Sequence, residues 1–124
     1  MIARTETGLA ILALDPSGDE RVGWSILYLH LASNDMIKVG AHLKAGDPLG
    51  HPSCEGGHAT GTHIHIARKY NGEWMPASGV MAFNLEGWIA AAGSQAYLGT
   101  LTRGSQIVTA CTCSDPGSFI TAGK

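Results

Sequence analysis

A β-hairpin is predicted by two apolar stretches near the start of the chain, Leu9-Ala-Ile-Leu-Ala-Leu14 and Trp24-Ser-Ile-Leu-Tyr-Leu-His-Leu31. Both have the length and composition of core strands. Between them lies Asp15-Pro-Ser-Gly-Asp19, a cluster of residues that favour turns. The three segments therefore indicate two neighbouring core strands joined by a turn.

Further along the chain, Thr62-His-Ile-His-Ile-Ala-Arg68 alternates in the manner of a strand. Asn71-Gly72, placed just before Glu73-Trp74, is a strong signal for a two-residue hairpin turn. Gly87-Trp-Ile-Ala-Ala91 and Gln106-Ile-Val-Thr-Ala110 can each add a strand. We therefore expect a mainly β fold with little helix.

The segment between the predicted hairpins, Val39-Gly-Ala-His-Leu-Lys-Ala-Gly-Asp-Pro-Leu-Gly50, is punctuated by glycines. Gly40, Gly46 and Gly50 predict short extended pieces joined by tight turns, not one strand.

Length and composition limit the classes of function. The chain has 124 residues, the size of one domain. A net charge of −2 with only 15% charged residues gives no basic surface for nucleic acid. No apolar run approaches the roughly 20 residues of a membrane span, and nothing at the start of the chain has the form of a signal peptide.

Three cysteines, Cys54, Cys111 and Cys113, allow one disulfide and one free thiol. We expect the bridge to join Cys54 to one of the C-terminal pair, because cysteines separated by one residue rarely meet disulfide geometry. A metal-binding Cys-x-Cys pair is the alternative, although no second pair accompanies it.

Six histidines is a high count for this length, and three of them fall on predicted strands. His63 and His65 share one strand face, and His30 shares a face with Tyr28, because side chains alternate along a strand. If the two strands are neighbours, three imidazoles converge. Ile64 and Ile66 should place the opposite face in a core. The remaining histidines should be solvated in turns or loops: His42, His51 and His58.

Three elements appear together in this order: Tyr28-Leu-His-Leu31, then Val39-Gly-x-x-Leu-Lys-Ala-Gly-Asp-Pro-Leu-Gly50, then Thr60-Gly-Thr-His-Ile-His65. The combination resembles the lysostaphin-like (LytM-type) zinc metalloendopeptidases, which hydrolyse peptidoglycan. This resemblance implies antiparallel sheets in a barrel-sandwich-hybrid arrangement, with the metallopeptidase core at about residues 9–76. Residues 77–124 would complete or edge the same single domain of residues 1–124.

The resemblance also implies roles for the three histidines. His65 matches the family's zinc ligand, and His30 and His63 match the histidines that assist catalysis. The implied cofactor is Zn²⁺, the implied partner is the peptide part of peptidoglycan, and the implied location is extracytoplasmic. Zinc activates a bound water, and imidazoles can take its proton or donate hydrogen bonds to the oxyanion. Which histidine has which role is left open.

One histidine is too few for a catalytic zinc, which normally has three protein ligands. The family supplies the other two from an upstream His-x-x-x-Asp element, and residues 1–8 contain neither residue type. Truncation is the simplest explanation. The alternatives are a non-catalytic member that binds cell wall or activates another hydrolase, and substitute ligands from a loop histidine or from the following carboxylates: Asp15, Asp19 and Glu20.

A different class of function is a biotinyl or lipoyl carrier, because residues 39–50 also resemble the Gly-rich turns of those domains. Carriers present a modified lysine at a hairpin tip, usually beside Met or Asp. Lys38, Lys44 and Lys69 lack that setting. The carrier remains the minor alternative.

Overall fold

The computed structural model describes residues 1–111 and 119–121 of the chain. It is all β within these ranges, with two antiparallel sheets and no helix. The predicted mainly β class is therefore confirmed. The chain divides into two compact units, Met1–Met75 and Pro76–Lys124. Their union in one domain, and the barrel-sandwich-hybrid arrangement, stay predictions.

The first unit contains a five-stranded sheet in which the strands follow one another in chain order. All four pairings are antiparallel. The strands are β1 (Ile2–Glu6), β2 (Leu9–Ala13), β3 (Trp24–Leu29), β4 (His65–Tyr70) and β5 (Glu73–Met75). The pairing of β3 with β4 matters most for function, because a long loop separates these two strands in sequence.

Both predicted hairpins of this unit are confirmed. Strand β2 pairs with β3 from Leu9 opposite Leu29 to Ala13 opposite Ser25. In the second hairpin, Asn71 and Gly72 have φ of 49° and 82°. Positive φ at both central residues is the requirement of a type I′ turn, which suits the twist of the flanking strands.

Strand β1 was not predicted from the sequence. It forms the edge of the sheet beside β2, and its Ile2 is 1% exposed. The neighbouring strand β2 is central, so Ala10 on one face and Ile11 on the other are both buried. An edge strand with polar Arg4 and Glu6 gives a weak apolar pattern, which explains why it was missed.

The loop between β3 and β4 has the turns predicted for residues 39–50, with Gly40 at φ 86° and Gly46 at φ 93°. Two isolated bridges form within the loop, Leu31 with Pro52 and Ser53 with His63. They join the middle of the loop to its two ends, next to the residues where β3 ends and β4 begins.

The second unit is a four-stranded antiparallel meander of β6 (Asn84–Leu85), β7 (Trp88–Ala92), β8 (Gly99–Arg103) and β9 (Gln106–Thr109). Strands β7 and β9 confirm the two strands predicted here, whereas β6 and β8 were missed. Strand β8 begins at Gly99, where a Cβ would come within 2.5 Å of the Ala91 carbonyl oxygen. Gly99 therefore allows the close approach of β8 to β7.

The predicted disulfide of Cys54 is wrong. Cys54 is a free, exposed thiol in the loop between β3 and β4, whereas Cys111 is disulfide-bonded. Cys113 lies outside the described residues. The Cys-x-Cys metal alternative also loses support, because the bonded Cys111 sulfur is no longer a thiolate ligand.

Candidate functional site

Three imidazoles lie together where β3 ends and β4 begins. Leu29, the last residue of β3, pairs with His65, the first residue of β4. This register brings His30 beside His63 and His65. The ring centroids of His30 and His63 are 4.4 Å apart, and those of His30 and His65 are 6.4 Å apart. The predicted convergence of the three imidazoles is therefore confirmed.

His30 reaches this position in a different way from the one predicted. The strand ends at Leu29, and His30 has a φ of 71°, in the left-handed region. Alternation from Tyr28 therefore does not determine the direction of its side chain. A non-glycine residue in this region is uncommon and costs free energy. His30 is also only 3% exposed, so its conformation is fixed by its surroundings.

His63 and His65 also differ from the prediction in part. The predicted strand from Thr62 begins only at His65, and His63 precedes it in an isolated bridge with Ser53. Both histidines are exposed. Ile64 is half-buried and Ile66 is 40% exposed, so the expectation that both lie in a core is wrong. The pairing of His65 with Leu29, and not burial of Ile66, places the histidines.

Two of the rings have a defined hydrogen-bonding state. The Nδ1 atom of His30 lies 2.8 Å from the carbonyl oxygen of Glu55, and that of His63 lies 2.8 Å from the carbonyl oxygen of Gly61. A carbonyl oxygen only accepts hydrogen bonds, so each Nδ1 carries the proton and donates. In the neutral ring, Nε2 then holds the lone pair. Both rings can thus accept a proton at Nε2.

The other histidines behave as predicted. His42, His51 and His58 are exposed. The Nδ1 atom of His51 contacts the carboxylate of Asp35, and the histidine side chain is 78% exposed. Exposed pairs of this kind contribute little to stability.

The residues present do not fit a three-ligand zinc site. Within residues 1–111 and 119–121, no three His, Cys, Asp or Glu side chains form a group that could hold a metal ion. His65 remains one suitable imidazole donor, and one donor is two short of the usual set. The described residues therefore do not supply the full set of ligands for the Zn²⁺ that the family resemblance implies.

The carboxylates considered as substitute ligands have other partners. Hydrogen bonds from Arg21 lower the pKa of Asp19 to about 2, and a hydrogen bond from Ser17 lowers the pKa of Asp15. Glu20 forms an ion pair with Arg4 at 3.2 Å. These interactions give the substitute-ligand alternative no support.

The lysines of the carrier alternative are not at hairpin tips. Lys69 lies within β4, and the backbone N–H of Lys44 donates to Asp47 in a turn with no flanking strands. A carrier lysine has to reach a distant enzyme from an exposed tip. The carrier alternative therefore receives no support from this arrangement.

An exposed tryptophan shares the sheet face of His65. In β4, Lys69 lies four positions after His65, so the two side chains point to the same side of the sheet. Lys69 pairs with Trp74 of β5, and its Nζ lies 4.4 Å from the centroid of the Trp74 ring. Trp74 is 59% exposed. The histidine face thus has an aromatic border on the edge strand.

Sequence reasoning missed the residues that hold His30: Ser33, Ser53 and Glu55. The Ser53 N–H donates to the His30 carbonyl at 2.6 Å, and the Ser33 N–H donates to Glu55 Oε2 at 3.0 Å. Serine and glutamate in a polar loop are ordinary, and Ser33 and Glu55 are far apart in sequence. The bridge between Leu31 and Pro52, within the loop, brings their two segments together, so no local sequence signal was available.

Comparison with family models, curated proteins and solved structures finds no match for this chain. In the described part of the chain, no helix has the length and apolar character to cross a membrane.

Proposed function

We propose that this chain carries the histidine-bearing part of a lysostaphin-like zinc metalloendopeptidase domain that hydrolyses peptide bonds of bacterial peptidoglycan outside the cytoplasm. The observation that carries the proposal is the convergence of His30, His63 and His65 across paired strands. These are the histidines of the Tyr-x-His-Leu and His-x-His elements on which the family resemblance rests. Two motifs from separate parts of the sequence thus meet at one site.

The chain's own residues suit the handling of a peptide carbonyl. Nε2 of His30 and of His63 can take a proton, and after protonation can donate a hydrogen bond to a carbonyl oxygen that gains negative charge. His30 is buried and His63 is exposed, so the two imidazoles meet different dielectric surroundings. A pair of this kind can divide the tasks of base and hydrogen-bond donor.

Zinc enters this proposal through the family resemblance alone. His65 would be one ligand, and an upstream His-x-x-x-Asp element would have to supply the other two. The reaction is therefore proposed for a form of the protein that also carries such an element, and no catalytic step through the metal is assigned to the residues of this chain.

The test is cleavage of purified cross-linked muropeptides by the zinc-loaded form that includes the upstream element, followed by mass spectrometry. The proposal predicts products separated by the mass of one added water at a stem or cross-bridge peptide bond. Intact muropeptides in the presence of stoichiometric bound zinc would refute the peptidase function.

A second candidate is a non-catalytic module of the same fold that binds cell wall or activates another hydrolase. The observation that favours it is the lack of a three-ligand group within residues 1–111 and 119–121. The His30→Ala, His63→Ala and His65→Ala substitutions made together separate the two candidates. Unchanged sedimentation with purified cell walls, without any cleavage by the parent protein, would support the module.

A further inference from the structure

We propose that Glu55 is a positioning residue for His30, acting together with Ser33 and Ser53 as a clamp that fixes the Nδ1–H tautomer of the buried ring. The catalytic consequence of this clamp rests on the proposed function, whereas the clamp itself does not. The three residues are called the His30 clamp below.

The first part of the clamp is the contact of Glu55 with the ring. Its backbone carbonyl accepts the His30 Nδ1–H at 2.8 Å. His30 is 3% exposed, so water cannot readily replace this partner. The position of one carbonyl oxygen therefore decides which ring nitrogen keeps its lone pair.

The second part holds the Glu55 carbonyl in place through the glutamate side chain. Glu55 Oε2 accepts hydrogen bonds from the backbone N–H of Ser33, at 3.0 Å, and from the Ser33 hydroxyl. Ser33 lies three residues after His30, so the carboxylate ties the loop to the segment that carries the ring. Hydrogen bonds to an ionised carboxylate are stronger than neutral ones.

The third part holds the backbone of His30. Its carbonyl accepts the Ser53 N–H at 2.6 Å and the Ser53 hydroxyl at 3.0 Å. The Ser53 oxygen in turn accepts the Glu55 N–H at 3.0 Å. The left-handed φ of His30, 71°, is thus held by hydrogen bonds at its backbone carbonyl and at its ring.

The backbone that carries Glu55 packs closely against the turn after β1, where Gly8 approaches Gly56. A Cβ on Gly8 would lie 2.6 Å from the Gly56 nitrogen and 2.7 Å from the Glu55 carbonyl carbon. The Gly8 carbonyl also accepts the Leu31 N–H at 2.9 Å. The turn after β1 therefore supports the segment that carries Glu55.

The experiment is ¹⁵N NMR of the imidazole nitrogens in the chain as it stands, with the His30 resonances assigned by their loss in His30→Gln. In the parent protein, Nδ1 should resonate as a protonated nitrogen and Nε2 as one with a free lone pair. In Glu55→Ala, both resonances should move towards the averaged positions of a ring that exchanges between tautomers. Glu55→Gln keeps an acceptor for Ser33 and should largely restore the parent spectrum.

Asp35→Ala is the matched control, because it removes a nearby loop carboxylate that pairs with His51 and not with His30. It should leave the His30 resonances unchanged. A parent His30 with the proton on Nε2, or a Glu55→Ala spectrum equal to that of the parent, would overturn the proposal. If Glu55→Ala does not fold, Ser33→Ala provides the same test, with a partial shift expected and an unchanged spectrum as the contradicting result.

The tautomer is read without any cleavage assay. Absence of peptidase activity with the expected NMR result would therefore overturn only the proposed function, and a wrong tautomer in an active enzyme would overturn only the clamp.

Discussion

His30 and His63 face each other with ring centroids 4.4 Å apart, although neither belongs to a strand. His30 follows the end of β3 in a left-handed conformation, and His63 precedes the start of β4. The antiparallel pairing of these strands brings the two residues together, and carbonyl acceptors at both Nδ1 atoms place the lone pair of each neutral ring on Nε2. The site is therefore a product of strand register and loop hydrogen bonds.

Zinc binding by this chain alone should be weak, because His65 is the single ligand that the family resemblance assigns to it. After dialysis against metal-free buffer, elemental analysis should find far less than one zinc per chain. The same analysis on a longer chain, with a His-x-x-x-Asp element placed before residue 1, should find about one zinc per chain. Stoichiometric zinc in the present chain would contradict the finding that residues 1–111 and 119–121 contain no three-ligand metal group.

Gly8→Ala should destabilise the first unit more than Gly40→Ala does. Both glycines have positive φ, 74° and 86°, so both substitutions carry the backbone cost of about 1 kcal/mol. A Cβ at Gly8 also collides with the backbone of Glu55 and Gly56, whereas a Cβ at Gly40 meets nothing within 4 Å. Urea denaturation measures the difference. Equal losses of unfolding free energy would show that the close approach at Gly8 has no energetic effect.

Tyr28 should make stability fall in the alkaline range. Burial raises the pKa of its phenol above the ordinary value of 10.0. The unfolded chain then loses this proton at a lower pH than the folded chain. The stability is fully present below the unfolded pKa and is lost as pH rises through the folded pKa. Tyr28→Phe should flatten this decline in denaturation experiments, and an unchanged slope would count against the burial effect.

Trp74→Ala should weaken binding of muropeptides about fivefold or more, the usual effect of removing a tryptophan contact worth over about 1 kcal/mol. Trp74 borders the face of His65 and is 59% exposed. Tyr70→Ala is the control, because Tyr70 is 45% exposed and points to the opposite face of β4. Isothermal titration calorimetry compares the two variants. Equal affinities in both would remove Trp74 from the binding surface.

The strands that sequence could predict are those with a strong local signal. The apolar run from Leu9 and the Asn71-Gly72 turn determine their hairpins through neighbouring residues alone, and both were predicted correctly. Strand β1 was missed because its stability comes from pairing with β2 and from burial of Ile2, neither of which is visible in a short polar segment.

The candidate site was predictable only in outline. The motifs named His30, His63 and His65, and the period of two suggested that they could meet. The left-handed turn at His30 and the contact of Glu55 with Ser33 depend on how a long loop folds back on the sheet. Such non-local contacts leave no pattern in the residues themselves. The exposure of Ile66 was mispredicted for the same reason. Alternation predicts which side of the strand Ile66 points to, but not whether other residues pack against that side.

The most direct test of the proposed function is the rate of muropeptide cleavage by a zinc-loaded longer chain, with a His-x-x-x-Asp element placed before residue 1, compared between the parent and His63→Ala. A loss of about 10²- to 10⁴-fold is predicted, the usual contribution of an acid–base group, with His58→Ala as the unaffected control. A loss of less than about tenfold in His63→Ala would contradict the claim that the cluster of His30, His63 and His65 is the catalytic site of a peptidase.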